Sequence, residues 1–229
     1  MKKRATKIKI CGLTEEKEAD YLNQIHADFA GMVVFFPKSK RNISLDQAKK
    51  IKAALLPEIK TVAVTVSPTL AQISQIAEAG FDLIQIHGDP ADLDIKTAKS
   101  ICEYTSKFSL PILKAFNVSD IDSYNCWQSC PSVAGFVFDA AKPGSGKTFD
   151  WTLLKNLPRS KKLFLLAGGL APENVSNAIC FLHPDGVDVS SGVEFIEKDR
   201  PGKDPYRIQA FAEAVQLADK QLTSKYLSI

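Results

Sequence analysis

The 229-residue sequence lacks several features that would place it in a specialised class of protein. No apolar run approaches the roughly 18 residues that a membrane helix needs, and no apolar segment follows the basic N-terminus, MKKRATKIKICG. The excess of positive charge is small, since 29 Lys and Arg against 26 Asp and Glu give a net charge of +3, and no long basic run occurs. We therefore expect a cytoplasmic protein that binds neither a membrane nor nucleic acid.

Cysteines are too few, and too irregularly spaced, for a disulfide framework or a structural zinc site. There are five, at Cys11, Cys102, Cys126, Cys130 and Cys180. Only Cys126 and Cys130 lie close together in the sequence, as a CxxxC pair, and structural zinc takes four ligands. The odd number of cysteines favours reduced thiols. We therefore expect no disulfide and no metal site.

The sequence does contain a regular alternation of short apolar runs and amphipathic stretches. Runs rich in Val, Ile and Phe predict eight strands, at 7–10, 29–36, 61–66, 82–87, 111–116, 134–139, 163–168 and 186–190. Apolar residues at helical spacing predict helices such as 45–56, 70–79 and 204–222, and Thr14, Ser44 and Asp120 stand where N-caps are expected.

Repeated strand–helix units are typical of a parallel sheet in the α/β class. Eight such units predict a single (β/α)8 TIM barrel that spans residues 1–229, because no linker or composition break divides the chain. An open, doubly wound sheet is the alternative. Its usual dinucleotide fingerprint, GxGxxG after the first strand, is missing, since that position reads CGLTEE.

The first predicted strand ends in a cysteine that could be reactive. Alternation places Lys7, Lys9 and Cys11 on one face of this strand, with Ile8 and Ile10 on the other. The end of a barrel strand lies at the catalytic face. A nearby ammonium favours the thiolate, which is the reactive form of cysteine. Cys11 is therefore either a nucleophile or base helped by Lys9, or a small buried apolar residue.

Two further titratable residues end predicted strands. Asp139 closes an otherwise apolar run, where a carboxylate is either a helix cap or a catalytic acid or base. The stretch 140–150 behind it shows no helical pattern and is expected to form a loop that closes over a substrate. His87 ends the fourth strand and either lines a site or is a structural histidine.

The seventh and eighth strands end in small residues that suit phosphate. These are Gly168, Gly169, Ser190, Ser191 and Gly192. Loops after strands seven and eight are the frequent phosphate site of such barrels, and glycine lets backbone N–H groups approach an anion. The segment AKPGSGKT at 141–148 is close to a P-loop, but its first glycine is replaced by alanine.

Taken together, these motifs resemble the phosphoribosylanthranilate isomerase family. The matching stretches are KICGLT, FFPKSKRNIS, VAVTV, IQIHGD, GSGKTFDW, LAGGLAPENV and GVDVSSGVE, which follow the family order along nearly the whole chain. The resemblance implies a TIM barrel and an Amadori rearrangement of N-(5-phospho-β-D-ribosyl)anthranilate in tryptophan biosynthesis, by general acid–base catalysis without a metal or cofactor. The segment after Glu194, FIEKDRPGKDP, looks longer than in the family, so the start of the last helix is expected to differ.

The resemblance also implies a role for each site residue. Cys11 would be the general base and Asp139 the general acid. Arg41 would hold the anthranilate carboxylate and His87 would line the site. The remaining implied residues are Gly144, Gly146 and Lys147 in the loop that closes over the substrate, and Gly168, Gly169, Ser190, Ser191 and Gly192 around the phosphate.

Three other functions stay open at this point. An isomerase for both the tryptophan and the histidine pathway would resemble a barrel with aspartate, rather than Cys11, at the end of strand one. A barrel that binds phosphorylated ligands without catalysis would not need both Cys11 and Asp139. A nucleotide hydrolase would use the P-loop-like segment. The expected oligomeric state is a monomer or a homodimer. A second copy of the chain is thus the only partner expected besides the substrate.

Overall fold

The computed structural model describes residues 5–88, 95–117, 124–139, 151–155, 157–197 and 200–227. Its strands are β1 (Lys7–Cys11), β2 (Phe29–Val33), β3 (Lys60–Val66), β4 (Leu83–His87), β5 (Ile112–Asn117), β6 (Val133–Asp139), β7 (Leu163–Leu166) and β8 (Gly186–Val189). Its helices are α1 (Lys17–Gln24), α2 (Leu45–Ala54), α3 (Leu70–Glu78), α4 (Ile95–Lys107), α5 (Tyr124–Gln128), α6 (Thr152–Lys155), α7 (Val175–Leu182) and α8 (Pro205–Leu227).

The strands form a closed parallel barrel in chain order, which confirms the predicted fold. Each strand pairs with the next, and β1 pairs with β8 through the register Lys9 opposite Asp188. Helices between the strands bring the chain back to the same end of the barrel, so all eight carboxyl ends lie at one rim. Every predicted strand is present, although its ends differ by a few residues.

Alternation along the strands divides the core into two layers. Ile8, Ile10 and Ile84 belong to the larger cluster, which lies between the barrel and its helices. Residues such as Val64 and Leu113 form the smaller cluster inside the barrel, and Cys11 packs against that inner cluster. The two faces predicted for β1 are therefore confirmed: Cys11 faces the barrel interior, while Ile8 and Ile10 face the helices.

The predicted N-caps have different outcomes. Ser44 caps α2, since its side chain accepts a hydrogen bond from the backbone N–H of Gln47. The prediction for Thr14 is wrong, because α1 begins at Lys17 and the backbone N–H of Thr14 instead donates to the buried carboxylate of Glu18 at 2.6 Å. Asp120 lies outside the described residues.

The expectation that all cysteines are reduced is wrong for one pair. A disulfide joins Cys102 in α4 to Cys130 after α5, 28 positions further along the sequence. Both cysteines are buried, and packing of α4 beside the segment before β6 brings them together. Cys130 is thus bonded to a distant cysteine and not to its sequence neighbour Cys126.

Of the described helices, none is both long enough and apolar enough to span a membrane.

Candidate active site

The polar strand ends that the sequence singles out meet at the carboxyl rim of the barrel. Cys11 ends β1, His87 ends β4 and Asp139 ends β6. The glycines after β7 and the serines after β8 lie on the same rim, because the sheet is parallel and closed. The fold therefore collects residues from positions 11 to 192 at one mouth.

The interior beneath Cys11 holds a buried ion pair. Lys9, on the same face of β1, has no solvent exposure, and its Nζ donates to Oδ2 of Asp188 at 2.8 Å. Gly31 on β2 makes room for both groups. A Cβ at Gly31 would come within 3.0 Å of the Cys11 Sγ and 3.1 Å of the Lys9 Nζ.

These charges act on the thiol in opposite directions. Burial raises the pKa of Cys11, and the Asp188 carboxylate raises it further, whereas the ammonium groups of Lys9 and Lys203 lower it. The net direction is upward. Although burial opposes the charge on Lys9, Asp188 and Cys11 raise the pKa of Lys9, so its ammonium persists at neutral pH. Lys9 thus favours the thiolate, as predicted, but without overcoming the effect of burial.

His87 is held as a neutral imidazole. Desolvation, together with the ammonium groups of Lys114 and Lys9, lowers its pKa to about 3. Its Nε2 lies 2.8 Å from Nε2 of Gln85, two residues earlier on the same inward face of β4. Because an amide nitrogen can only donate, Nε2 of His87 accepts and Nδ1 carries the proton. A neutral ring with one donor suits hydrogen bonding to a substrate better than proton transfer.

Arg41 lies in the loop after β2, and its side chain extends to the loop that follows β1. Its aliphatic stem covers Gly12, the residue next to Cys11, and a Cβ there would collide with Arg41 Cδ. Gly12 adopts a φ of +80°, which glycine alone tolerates well. The Nε of Arg41 donates to Oε1 of Glu194 at 2.5 Å. The guanidinium is therefore fixed beside Cys11, by Glu194 after β8.

Lys203 links the last loop to the first strand. The residue is 1% exposed, and its Nζ donates to the backbone oxygen of Ser190 at 3.1 Å. The Ser190 hydroxyl in turn donates to the backbone oxygen of Cys11 at 2.9 Å. The backbone N–H of Lys203 donates to Glu18 at 2.7 Å. The hydroxyl of Ser190 therefore holds β8 against β1.

The loops after β7 and β8 pack backbone against backbone. Gly168 and Gly169 have φ values of +83° and +65°. A Cβ at Gly192 would overlap the backbone carbonyl of Leu170. Ser191 and Gly192 lie in a single 3₁₀ turn, Ser191–Val193. The small residues that the sequence predicts for phosphate binding thus form one continuous backbone surface.

At the same rim, β6 contributes Asp139, the predicted acid. Asp139, partly exposed, ends β6 opposite Asn117 of β5. Gly144, Gly146 and Lys147, predicted in the loop that closes over the substrate, lie outside the described residues. Within the described ranges, no group of three or more His, Cys, Asp or Glu could hold a metal ion.

Four further polar residues of the site were not predicted from the sequence. They are Gln85, Asp188, Glu194 and Lys203. A signal existed for Gln85 and Asp188, since each is a polar residue at an inward position of an otherwise apolar strand. Glu194 and Lys203 lie in an irregular segment, and only the closure of the barrel brings them near Arg41 and Cys11.

Comparisons with known proteins agree on one family. The family described as "N-(5'phosphoribosyl)anthranilate (PRA) isomerase" matches residues 8–214. The N-(5'-phosphoribosyl)anthranilate isomerase of Streptococcus mutans is 38% identical over 213 residues, covering 92% of this chain and 99% of the relative.

Solved structures of the same family share the fold. Monomers generated from the dimeric phosphoribosylanthranilate isomerase of Thermotoga maritima superpose with a TM-score of 0.73 at 31% identity, covering 92% of this chain and 98% of theirs. A phosphoribosylanthranilate isomerase bound to reduced 1-(o-carboxyphenylamino)-1-deoxyribulose 5-phosphate gives 0.72 at 31% identity, with the same coverage. A match of this extent, to both sequence and fold, shows that the chain belongs to the phosphoribosylanthranilate isomerase family of enzymes.

Proposed function

We propose that this isomerase converts N-(5-phospho-β-D-ribosyl)anthranilate to 1-(2-carboxyphenylamino)-1-deoxy-D-ribulose 5-phosphate, with Asp139 as the acid and Cys11 as the base. Asp139 donates a proton to the ribose ring oxygen as the C1′–O bond breaks, which leaves an iminium. Cys11 then removes the C2′ proton, and the electron pair of the C–H bond neutralises the iminium. The resulting enamine tautomerises to the ketone. Neither a metal nor a cofactor is needed for these steps.

The position of Cys11 is the observation that carries this assignment. Its thiol faces the barrel interior at the catalytic rim, above the charged Lys9, and β6 delivers Asp139 to the same rim. An acid and a base from different strands can act on different sides of one sugar. Burial keeps the pKa of Cys11 high, so only a fraction of the enzyme carries the thiolate at neutral pH.

The substrate's two anionic ends suit the two flanks of the mouth. Arg41, beside Cys11, would bind the anthranilate carboxylate, because a guanidinium offers paired donors to a carboxylate. Gly168, Gly169, Ser191 and Gly192 would present backbone N–H groups to the phosphate. His87 would donate from Nδ1 to a substrate oxygen. Gly144, Gly146 and Lys147 would close over the ligand, and Ser190 would support the phosphate loop from behind.

Turnover of freshly made phosphoribosylanthranilate, followed by its fluorescence loss, tests the acid–base pair. We expect Cys11→Ser and Asp139→Asn each to lower kcat by a factor of about 10²–10⁴, which is typical of a lost acid or base. Cys180→Ser is the control, because it removes the other described free thiol, in α7.

Two outcomes would contradict the proposal. Full activity of Asp139→Asn would mean that another group is the acid. Tight binding of the reduced product analogue by a wild-type protein that turns over no substrate would favour a barrel that binds phosphorylated ligands without catalysis.

We also propose that the enzyme acts in the cytoplasm as a monomer or homodimer. A dimeric relative supports the second state. Sedimentation velocity over a range of protein concentrations distinguishes the two.

A further inference from the structure

The carboxylate of Glu194 lies among three cationic side chains at the mouth of the barrel. Its Oε1 accepts from Arg41 Nε at 2.5 Å and lies 3.3 Å from Lys203 Nζ. Its Oε2 accepts from Lys40 Nζ at 2.9 Å. Glu194 is only 14% exposed, and these cations hold its pKa at about 2 despite burial. The group is therefore an anion at any pH at which the enzyme works.

The contact with Glu194 determines which edge of Arg41 is available. A guanidinium can pair with a carboxylate through Nε and one Nη, or through its two Nη groups. Glu194 occupies Nε. Among the described residues, Arg41 makes no other side-chain hydrogen bond, so the edge formed by its two Nη groups is free to receive a ligand.

Glu194 is itself held by its contacts with Lys203. It forms an antiparallel bridge with Lys203, and the Lys203 ammonium is bound in turn to Ser190. The three cations and one anion leave a net charge of +2. A second carboxylate can thus approach Arg41 without meeting an uncompensated negative charge.

We propose that Glu194 is a positioning residue for the substrate carboxylate, which it serves by holding Arg41 at Nε so that the two Nη groups address the ligand. This inference rests on the proposed role of Arg41 as the carboxylate-binding residue. In this proposal Glu194 acts on the ligand only through Arg41. Its effect is therefore confined to ligands that carry the carboxylate.

Inhibition constants for two ligands test the inference. One is reduced 1-(o-carboxyphenylamino)-1-deoxyribulose 5-phosphate, and the other is its anilino counterpart without the carboxyl group. We expect Glu194→Ala to raise the inhibition constant of the first ligand about tenfold, because Arg41 is no longer held in place and its charged hydrogen bonds to the carboxylate weaken. The inhibition constant of the second ligand should rise less than twofold. Glu194→Gln keeps the shape of the side chain and one acceptor. Its inhibition constant for the first ligand should lie between those of wild type and Glu194→Ala.

Glu173→Ala is the matched control, because Glu173 pairs with Arg207 near the same loops but does not contact Arg41. It should leave both inhibition constants unchanged. In Arg41→Ala, the further change Glu194→Ala should cost nothing, since the residue that it positions is gone. Thermal unfolding of each variant verifies that it is folded at the assay temperature.

The outcomes separate the two proposals. If Arg41→Ala keeps the preference for the carboxylate ligand, the role of Arg41 is wrong, and that of Glu194 with it. If Arg41→Ala loses the preference but Glu194→Ala keeps it, only the role of Glu194 is wrong. Equal weakening of both ligands in Glu194→Ala would also overturn the inference, because it indicates a general disturbance of the mouth.

Discussion

At the scale of single residues, the site depends on how far a buried thiol can be ionised. Lys9 is charged and close to Cys11, yet its influence is shared with Asp188, to which it donates a hydrogen bond. The ion pair therefore offsets only part of the cost of burying a thiolate. Cys11, the proposed base, is therefore mostly a thiol at neutral pH, and its thiolate fraction grows with pH.

Replacing Lys9 with Met should raise the pKa of Cys11 further. The ammonium lowers that pKa, so its removal leaves burial and Asp188 unopposed except by Lys203. If the thiolate is the base, as proposed, kcat/KM of the wild type should increase from pH 7 to 9, and the increase should move to higher pH in Lys9→Met. The rate of alkylation by iodoacetamide against pH gives the Cys11 midpoint directly.

Lys7→Met is the control for that change. Lys7 lies on the same face of β1, but its Nζ donates to Asp28 at 2.5 Å, at the opposite end of the strand. In Lys7→Met, the pH midpoint for alkylation of Cys11 should equal that of the wild type. An unchanged midpoint in Lys9→Met would show that Lys9 does not influence the ionisation of Cys11.

At the scale of elements, β7 and β8 are joined beyond their carboxyl ends by contact between their loops. The backbone of Leu170 lies against Gly192, with no space for a side chain between them. A shift of one loop should therefore displace the other, and the proposed phosphate site would draw on both.

Gly192→Ala should separate these loops and weaken phosphate binding. The new Cβ would meet a backbone carbonyl, which cannot rotate away, so the loop itself must shift. We expect the Kd for inorganic phosphate and the KM for substrate to rise about tenfold or more, as displaced charge-assisted contacts are lost. Isothermal titration with inorganic phosphate measures the effect.

Ile73→Val in α3 is a suitable comparison, since Ile73 is fully buried far from the loops. It should cost about 0.5–1.5 kcal/mol of stability without changing phosphate affinity. Equal phosphate affinity of Gly192→Ala and wild type would show that this loop does not contribute to the phosphate site.

The elements also show which parts of the structure can be predicted from the sequence. Strands and helices follow from local periodicity, and the facing of Cys11 follows from alternation along β1. The failed N-cap at Thr14 depends on Glu18, whose carboxylate is buried by contact with Lys203, 185 residues away. The Cys102–Cys130 disulfide and the pairing of Arg41 with Glu194 likewise depend on tertiary contacts, which local sequence patterns do not predict.

At the scale of the whole molecule, the last helix holds the first strand in place. The carboxylate of Asp219 in α8 accepts from the backbone N–H of Thr6 at 2.8 Å and from its hydroxyl at 2.6 Å. Thr6 is buried just before β1. This contact supports barrel closure at the end opposite the site.

Asp219→Ala should lower the free energy of unfolding by about 1–3 kcal/mol, because it leaves a buried donor unpaired. The value of kcat/KM well below the melting temperature should be unchanged. Urea denaturation measures the stability. Glu213→Ala in the same helix removes only an exposed contact with Gln209 and should cost less than about 0.5 kcal/mol. Equal costs for the two variants would contradict the proposed closure contact.

The pairing of β1 with β8 has a consequence for the order in which a newly made chain becomes competent. Lys9 and Cys11 leave the ribosome well before Asp188, Ser190 and Lys203, which surround them. Contacts so distant in sequence form late, since the intervening chain must first be ordered. The surroundings of the Cys11 thiol, the proposed base, therefore form only after the segment that contains Lys203 has been synthesised.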